Sequence, residues 1–404
     1  MSSATYRTLL RTRGAAAFFL TATAGRTGIA MTSLGIVWLV HDRTGSYTVA
    51  GLVTGCFAVT EACVGPQLAR LIDRFGQTRV LPPALLAHAA AVASLLALAG
   101  TGGPHGLLAV AGALVGATIP QLGALSAARW TALLSGRRAE ALPTAFALES
   151  LANGVCYLAG PALVAGVGAG LDPAYGMGLA TALVVGGGLA FAAQRRTAPG
   201  AAGDTERRHA GRSLLRPAFA AQFGVNLGLG VYFGATQVSV TAFAVEHGAA
   251  QAAAPLYAVS NCAGLLAGWL YGLRRWRAAP RIQLAFAAAG LAVCCLPVLA
   301  ADSFAGLGLA LAATGLAVPP ILVLSSVLTT ASVSPAALTQ AFTWLNSASA
   351  AGAAGAAAVA GHTVDTYGAQ GGFTVAAAAT AAMAVLAAAH AGAARGVGGS
   401  RSRT

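Results

Sequence analysis

Three charged residues stand inside long apolar stretches of this chain: Arg26, Glu61 and Glu149. At the centre of a bilayer each costs at least about 2.5 kcal/mol on insertion scales, so each is expected to face protein or water and to have a partner. Arg26 lies 18 residues before Thr44, and Glu61 lies 16 after Gly45, the two residues at the centre of the first turn. At about 1.5 Å of rise per residue the two are level to within about 3 Å and could meet near the membrane midplane. A desolvated Glu beside a movable cation has a protonation equilibrium that changes as the cation comes and goes, which is the chemistry of proton coupling. A permanent ion pair that only orients two helices is the competing reading. Glu149, eight residues past Ala141, sits about 12 Å from the inner end of its stretch. It is a candidate for a second proton or a cationic ligand, and pairing with Arg129 or another inner Arg is the plainer alternative. His88 reads as an interior histidine with satisfied bonds rather than a relay.

Charges so placed need elements that cross a membrane, and the composition supplies them. Of 404 residues, 57% are hydrophobic and 9% charged, with a mean hydropathy of +0.72. That excludes an ordinary soluble domain, a disordered chain and a secreted disulfide scaffold. Stretches of about 20 apolar residues, enough for a spanning helix, lie near 14–40, 49–70, 80–100, 106–128, 141–168, 174–194, 217–245, 250–273, 281–301, 304–330, 337–361 and 370–394. Strands are excluded because the runs are too long and do not alternate. The first run, with Arg26 inside it, is too long for a signal-peptide core. The six cysteines all fall in these stretches and read as small buried hydrophobes without metal spacing.

The net charge of +13 comes from 24 Arg and no Lys. Cytoplasmic loops retain basic residues, and an inside N-terminus places 22 of the 24 Arg in cytoplasmic segments, leaving Arg43 outside and Arg26 within the membrane. Both termini are therefore expected in the cytoplasm, the basic excess encodes orientation and contact with membrane lipid, and nucleic acid is not an expected partner. The Arg-rich segment 195–216 divides the chain into an N-terminal half, 1–194, and a C-terminal half, 217–404, each with six expected spans. In both halves the loop after the second span is rich in Arg. Two such halves are the layout of a transporter built from repeats.

The loop after span 2, Ala69-Arg70-Leu71-Ile72-Asp73-Arg74-Phe75-Gly76-Gln77-Thr78-Arg79, resembles the G-x-L-x-D-R-x-G-R-R loop of the major facilitator superfamily. Leu71, Asp73, Arg74 and Gly76 fit; Ala69 replaces Gly, Gln77-Thr78 replace basic residues, and Arg79 comes one place late. Gly160-Pro161 in span 5 is a fragment of the family's antiporter-associated pattern, and Gln340 to Asn346, followed by Gly352 and Gly355, is similar to span 11 of bacterial members. The resemblance implies an all-α membrane protein of twelve helices, with the loop as a cytoplasmic gate in which Asp73 bonds loop Arg residues and approaches a helix N-terminus, and Arg74 and Arg79 complete the network. Fixing topology alone is the other role open to these charges.

The resemblance also implies that spans 1, 4, 7 and 10 line a central cavity. Their polar residues Thr23, Thr118, Gln121, Asn226, Gln237 and Ser325 then suit an amphipathic small molecule, although such groups also bond between helices. Gln222 and Asn226 share a helix face. The repeats Gly51-xxx-Gly55, Gly112-xxx-Gly116, Gly224-xxx-Gly228, Gly230-xxx-Gly234 and Gly264-xxx-Gly268-xxx-Gly272 predict close helix contacts. Pro120, Pro161, Pro319 and Pro320 predict bends or breaks. The expectation is a monomeric, plasma-membrane secondary transporter with no cofactor, coupling protons to efflux of a small organic compound. An importer or uniporter is the alternative. Against a polytopic enzyme, no metal-binding carboxylate cluster or long catalytic loop is found in the sequence; against a sensor, an added domain is not expected; against a primary pump, no phosphate loop is found.

Overall fold

A computed structural model describes residues 6–170, 172–200, 211–274 and 276–400. Every regular element among them is helical. A short helix, α1 (Tyr6–Leu10), precedes α2 (Ala15–Thr44), α3 (Tyr47–Phe75), α4 (Gln77–Gly100), α5 (His105–Thr118), α6 (Leu122–Leu133), α7 (Leu142–Gly170) and α8 (Pro173–Ala192). Then follow α9 (Pro217–Glu246), α10 (Ala253–Leu273), α11 (Pro280–Leu299), α12 (Phe304–Ser332) and α13 (Leu338–Ser400). Among the described residues ten helical stretches are long and apolar enough to cross a membrane. Leu86, Phe286 and Leu309 on them are 65%, 75% and 75% exposed, a degree of apolar exposure that fits lipid rather than water. The middle of the Arg-rich segment expected as a linker, residues 201–210 with Arg207 and Arg208, lies outside the described residues, as do Arg275, Arg401 and Arg403.

Local chemistry sets the helix ends. Ser46 accepts from Val49 N–H at 3.3 Å, and Ser303 accepts from Gly306 N–H at 3.2 Å. Pro173, Pro217 and Pro280 open α8, α9 and α11, where a missing N–H costs nothing. Of the prolines expected to disturb helices, Pro120 separates α5 from α6, with Ile119 extended between them. Pro161, Pro319 and Pro320 instead lie inside helices that continue past them. A second break falls at Gly368 (φ 68°), within the range of α13, where Ala369 N–H donates to Glu246 Oε1 at 2.8 Å.

The chain forms two compact units. The first comprises 1–142, 152–211 and 334–347; the second comprises 143–151, 212–333 and 348–404. In the first, α2 packs on α8 and α5 on α3 around Ile36, Leu39, Val53, Phe57, Leu95 and Val115. In the second, α10 and α11 pack on α12, and Val240, Phe243, Leu307 and Phe373 share a core. The glycine repeats divide. Gly112 and Gly116 lie against the α3 backbone at Val53 and Phe57, and Gly230 and Gly234 lie against the α13 backbone at Ser349 and Ala353. Gly51 and Gly55 face open space, so that repeat makes no close helix contact. The cysteines also divide: Cys156 and Cys295 are buried, but Cys63 and Cys262 are exposed. An apolar stretch in a membrane has a lipid face as well as a core face, so apolar surroundings in the sequence do not imply burial.

Candidate functional site

Glu61 lies on α3, fourteen residues past Tyr47, and its side chain is half-buried. Its Oε1 accepts from Gln121 Nε2 at 2.9 Å. Gln121 is available because Pro120 stops α5: Ile119 is extended, Gln121 has non-helical angles (φ −81°, ψ 69°), and α6 starts at Leu122. The proline break therefore places an amide opposite a carboxylate. Gln121 Oε1 in turn accepts from Asn346 Nδ2 on the first part of α13 at 3.5 Å. One residue further on, Ser347 Oγ donates to the Ala62 carbonyl at 2.9 Å. Arg26 on α2 is buried at 7% exposure, and its Cδ lies 3.5 Å from where a Cβ on Gly123 would stand. The depth arithmetic allowed Arg26 and Glu61 to meet; a donor to Glu61 Oε1 is the Gln121 amide.

Below this centre, the α3–α4 turn consists of one residue. Gly76 ends α3 and begins α4 with φ 92°, a backbone angle that excludes most side chains, and its N–H bonds Ile72 O at 2.8 Å. Asp73, half-buried, accepts from the Gln340 N–H at 2.9 Å and from Thr339, so its carboxylate caps the positive end of α13. Among the described residues Asp73 meets the first turn of α13, at Thr339 and Gln340. The Arg74 guanidinium lies 5.0 Å from the centre of the Phe75 ring, and the Arg79 side chain is exposed. The Arg74 side chain is exposed as well.

The inner Arg that does organise this end is Arg129 on α6, fully buried. Its Nε donates to Gln77 Oε1 at 2.8 Å, Nη1 to Gln194 O at 3.1 Å and Thr197 Oγ1 at 3.0 Å, and Nη2 to Phe191 O at 3.0 Å. The guanidinium stacks 3.7 Å from the centre of the Phe191 ring. Phe191 O and Gln194 O lie at the carbonyl end of α8, the negative end of its dipole, so these neutral acceptors hold the cation there. Arg129 is thus held by acceptors within its own unit. The signal for this site was present: an Arg only four residues before the end of an apolar helix, and a Gln77 where basic residues are common. At the opposite end of the same unit, Arg43 forms an ion pair with Asp172, which also accepts from Ala174 N–H at 2.9 Å. That pair was not foreseen.

The remaining expected cavity residues separate by unit. In the first, Thr23 Oγ1 donates to Phe19 O at 2.8 Å in its own helix. Thr118 Oγ1 donates to Leu114 O at 2.7 Å and lies 3.4 Å from Nδ1 of the buried His88. In the second, Asn226 Nδ2 donates to Ser325 Oγ at 2.7 Å and to Gln222 O at 2.9 Å, joining α9 to α12. Gln237 is exposed, and Glu149 is buried at 8% exposure.

The sequence profile of the Major Facilitator Superfamily matches residues 16–314. No curated protein matches the chain in sequence. Solved structures of the same fold include a bacterial homologue of the iron transporter ferroportin in the outward-facing state, at 12% identity over 93% of this chain and 99% of that one, with a TM-score of 0.73. The major facilitator transporter FucP in the outward conformation is 16% identical over 92% and 97%, with a TM-score of 0.67. The human organic anion transporter MFSD10 is 16% identical over 92% and 98%, with a TM-score of 0.65.

Proposed function

The chain belongs to the major facilitator superfamily of membrane transporters, and from that premise we propose that it is a proton-coupled exporter of a small amphipathic organic compound, working by alternating access. The observation that carries the coupling is the Glu61–Gln121 contact. A carboxylate inside an apolar helix, held by a neutral amide, can take up a proton without leaving a buried cation unpaired. Arg26, nearby on α2, and Glu149, buried in the other unit, are the further charges of the coupling machinery. Gln121, Thr23, Thr118, Asn226, Gln237 and Ser325 offer amides and hydroxyls among apolar walls, which suits an organic solute with few polar groups. A human protein of this fold is named for organic anions, within the same broad range of solutes.

In this reading the halves 1–194 and 217–404, joined by 195–216, are the bodies that move. Asp73 on the amide end of α13, with Gly76 shaping the turn, is the cytoplasmic latch, and Arg74 and Arg79 serve the topology. The chain has twelve spans: α2, at 30 residues, is long enough to cross, and the last 58-residue stretch is interrupted at Gly368. The Arg distribution supports both termini in the cytoplasm, and the reading takes the protein as a plasma-membrane monomer.

Everted vesicles with an imposed pH gradient test the proposal across a panel of amphipathic compounds. Accumulation should depend on the gradient and be lost in Glu61→Gln. Accumulation that ignores the gradient, or a pH dependence unchanged in Glu61→Gln, overturns it in favour of a uniporter.

A further inference from the structure

The hydrogen bonds around Glu61 have a direction. Ionised Glu61 can only accept, so Gln121 must present Nε2 to it, at 2.9 Å. That orientation turns Gln121 Oε1 away from the carboxylate, where it meets Asn346 Nδ2 at 3.5 Å. Asn346 donates to Gln121, and Gln121 donates to Glu61. The three residues come from α13, the Pro120 break and α3, and they lie in one compact unit. Close approach of α3 and α13 permits the arrangement: a Cβ on Gly65 would stand 3.4 Å from Thr343 Cγ2 and 3.8 Å from Gln121 Cγ.

We propose that Gln121 is an amide relay that carries the protonation state of Glu61 to Asn346 on α13, with Asn346 as a positioning residue for the proton site. When Glu61 takes a proton from water its carboxyl gains an O–H donor, and Gln121 then favours presenting Oε1 to it. The amide turns over, Nε2 faces Asn346, and Asn346 must accept where it previously donated. Reversal of the chain changes the hold on the same helix whose first turn Asp73 caps through Gln340 N–H and whose Ser347 hydroxyl bonds Ala62 O. A neutral relay can reverse in this way because each amide carries both donor and acceptor, whereas a guanidinium can only donate.

Among the described residues, Arg26 on α2 and Tyr157 and Cys156 on α7 are ionisable groups near this centre, Tyr157 within electrostatic reach of Glu61, Cys156 and Arg26. The neighbouring stretch of α13, 338–350, carries no ionisable side chain. A change at Asn346 therefore adds or removes no charge, and it reaches Glu61 through Gln121.

The proposal rests on the proton-coupled reading, and its test needs no transported compound. Purified full-length protein in liposomes is titrated with acid while infrared difference spectra follow the carboxylic C=O band that Glu61→Gln removes. Loss of a donor to the ionised form makes protonation easier. Gln121→Leu should raise the midpoint of that band by about 1 pH unit, and Asn346→Leu, one bond further away, by about half a unit, as expected for net hydrogen-bond strengths of this order. In the Gln121→Leu background, Asn346→Leu should produce no further shift. Asn346 is exposed, so Asn346→Ala provides a second truncation tolerated by folding and should agree with Asn346→Leu. An unmoved midpoint in both Asn346 variants overturns the relay and leaves proton coupling standing. A shift of equal size with and without Gln121 overturns it as well, because Asn346 then acts by another route. If no band is lost in Glu61→Gln, Glu61 does not titrate, and the coupling reading falls together with the relay.

Discussion

Arg129→Met removes the buried guanidinium that joins α6 to Gln77 and to the end of α8. Hydrogen bonds to a charged group contribute about 1.5–3 kcal/mol each, but adding four of them ignores the cost of keeping a cation out of water. What the substitution strands decides the size. Gln77 Oε1 loses a donor at 2.8 Å in a buried setting, a loss of about 1–3 kcal/mol, whereas Phe191 O, which loses the donor at 3.0 Å, keeps the Gln194 N–H at 3.2 Å. Thr197 Oγ1 and Gln194 O lie 3.4 Å apart and can satisfy one another. Stacking on Phe191 at 3.7 Å adds about 1 kcal/mol or more, and relief from charge burial offsets part of the total. The expected net loss is about 2 kcal/mol, and Arg129→Lys should recover only part of it, because an ammonium cannot reach acceptors arranged around a planar fork. Equilibrium unfolding in mixed detergent micelles, followed by helical circular dichroism, measures the loss. Arg74→Met and Arg79→Met, at exposed positions, serve as controls that should stay within about 0.5 kcal/mol of the parent. If Arg129→Met is no less stable than these controls, the network contributes nothing to stability and the reasoning fails.

Asp73→Asn keeps an acceptor for the Gln340 N–H but removes its charge, and should cost about 0.3–1 kcal/mol of helix-end stabilisation; faster amide exchange at Gln340 than at other first-turn amides of α13 would register it. A Cβ on Gly116 would overlap Phe57 O, so Gly116→Ala should destabilise by about 1–3 kcal/mol. Gly51→Ala, facing open space, should be neutral or stabilising by up to about 1 kcal/mol; unfolding in the same micelles compares them. The Asp172 carboxyl is held below the usual range, first by the Ala174 N–H and then by Arg43. Its folded pKa is the lower one, so the stability it adds is full above the ordinary carboxylate value of about 4 and is lost as pH falls through the folded value. The difference in melting temperature between wild type and Asp172→Asn should therefore be flat at neutral pH and vanish only in strong acid, and a difference that already shrinks between neutrality and the ordinary carboxylate value refutes this.

Much of the fold was legible because it follows from one-dimensional quantities. Apolar length sets the spanning helices, a proline without an N–H predicts the break at Pro120, and the motif around Asp73 and Gly76 marks the loop after the second span. The site was less legible because it depends on how each helix is rotated about its axis. Depth along the membrane, read from residue counts, says nothing of which face each residue occupies, and Gln121 is a donor that Glu61 meets. Arg129 was counted with the inner Arg residues for the same reason: its partners Gln77, Phe191, Gln194 and Thr197 are 52 to 68 residues away, and no local pattern links them. Two identical Gly-xxx-Gly repeats, at Gly51 and at Gly112, met open space and a packed backbone respectively.

The sequence by itself determined the solvent, the helical class and the family, because hydropathy, length and a short loop motif are properties of neighbouring residues. Only the tertiary structure decided that an amide opposes Glu61, that the first turn of α13 holds Asp73, and that Arg129 closes the end of α8. Those choices depend on the azimuth of each helix, which is set by packing between segments far apart in the chain.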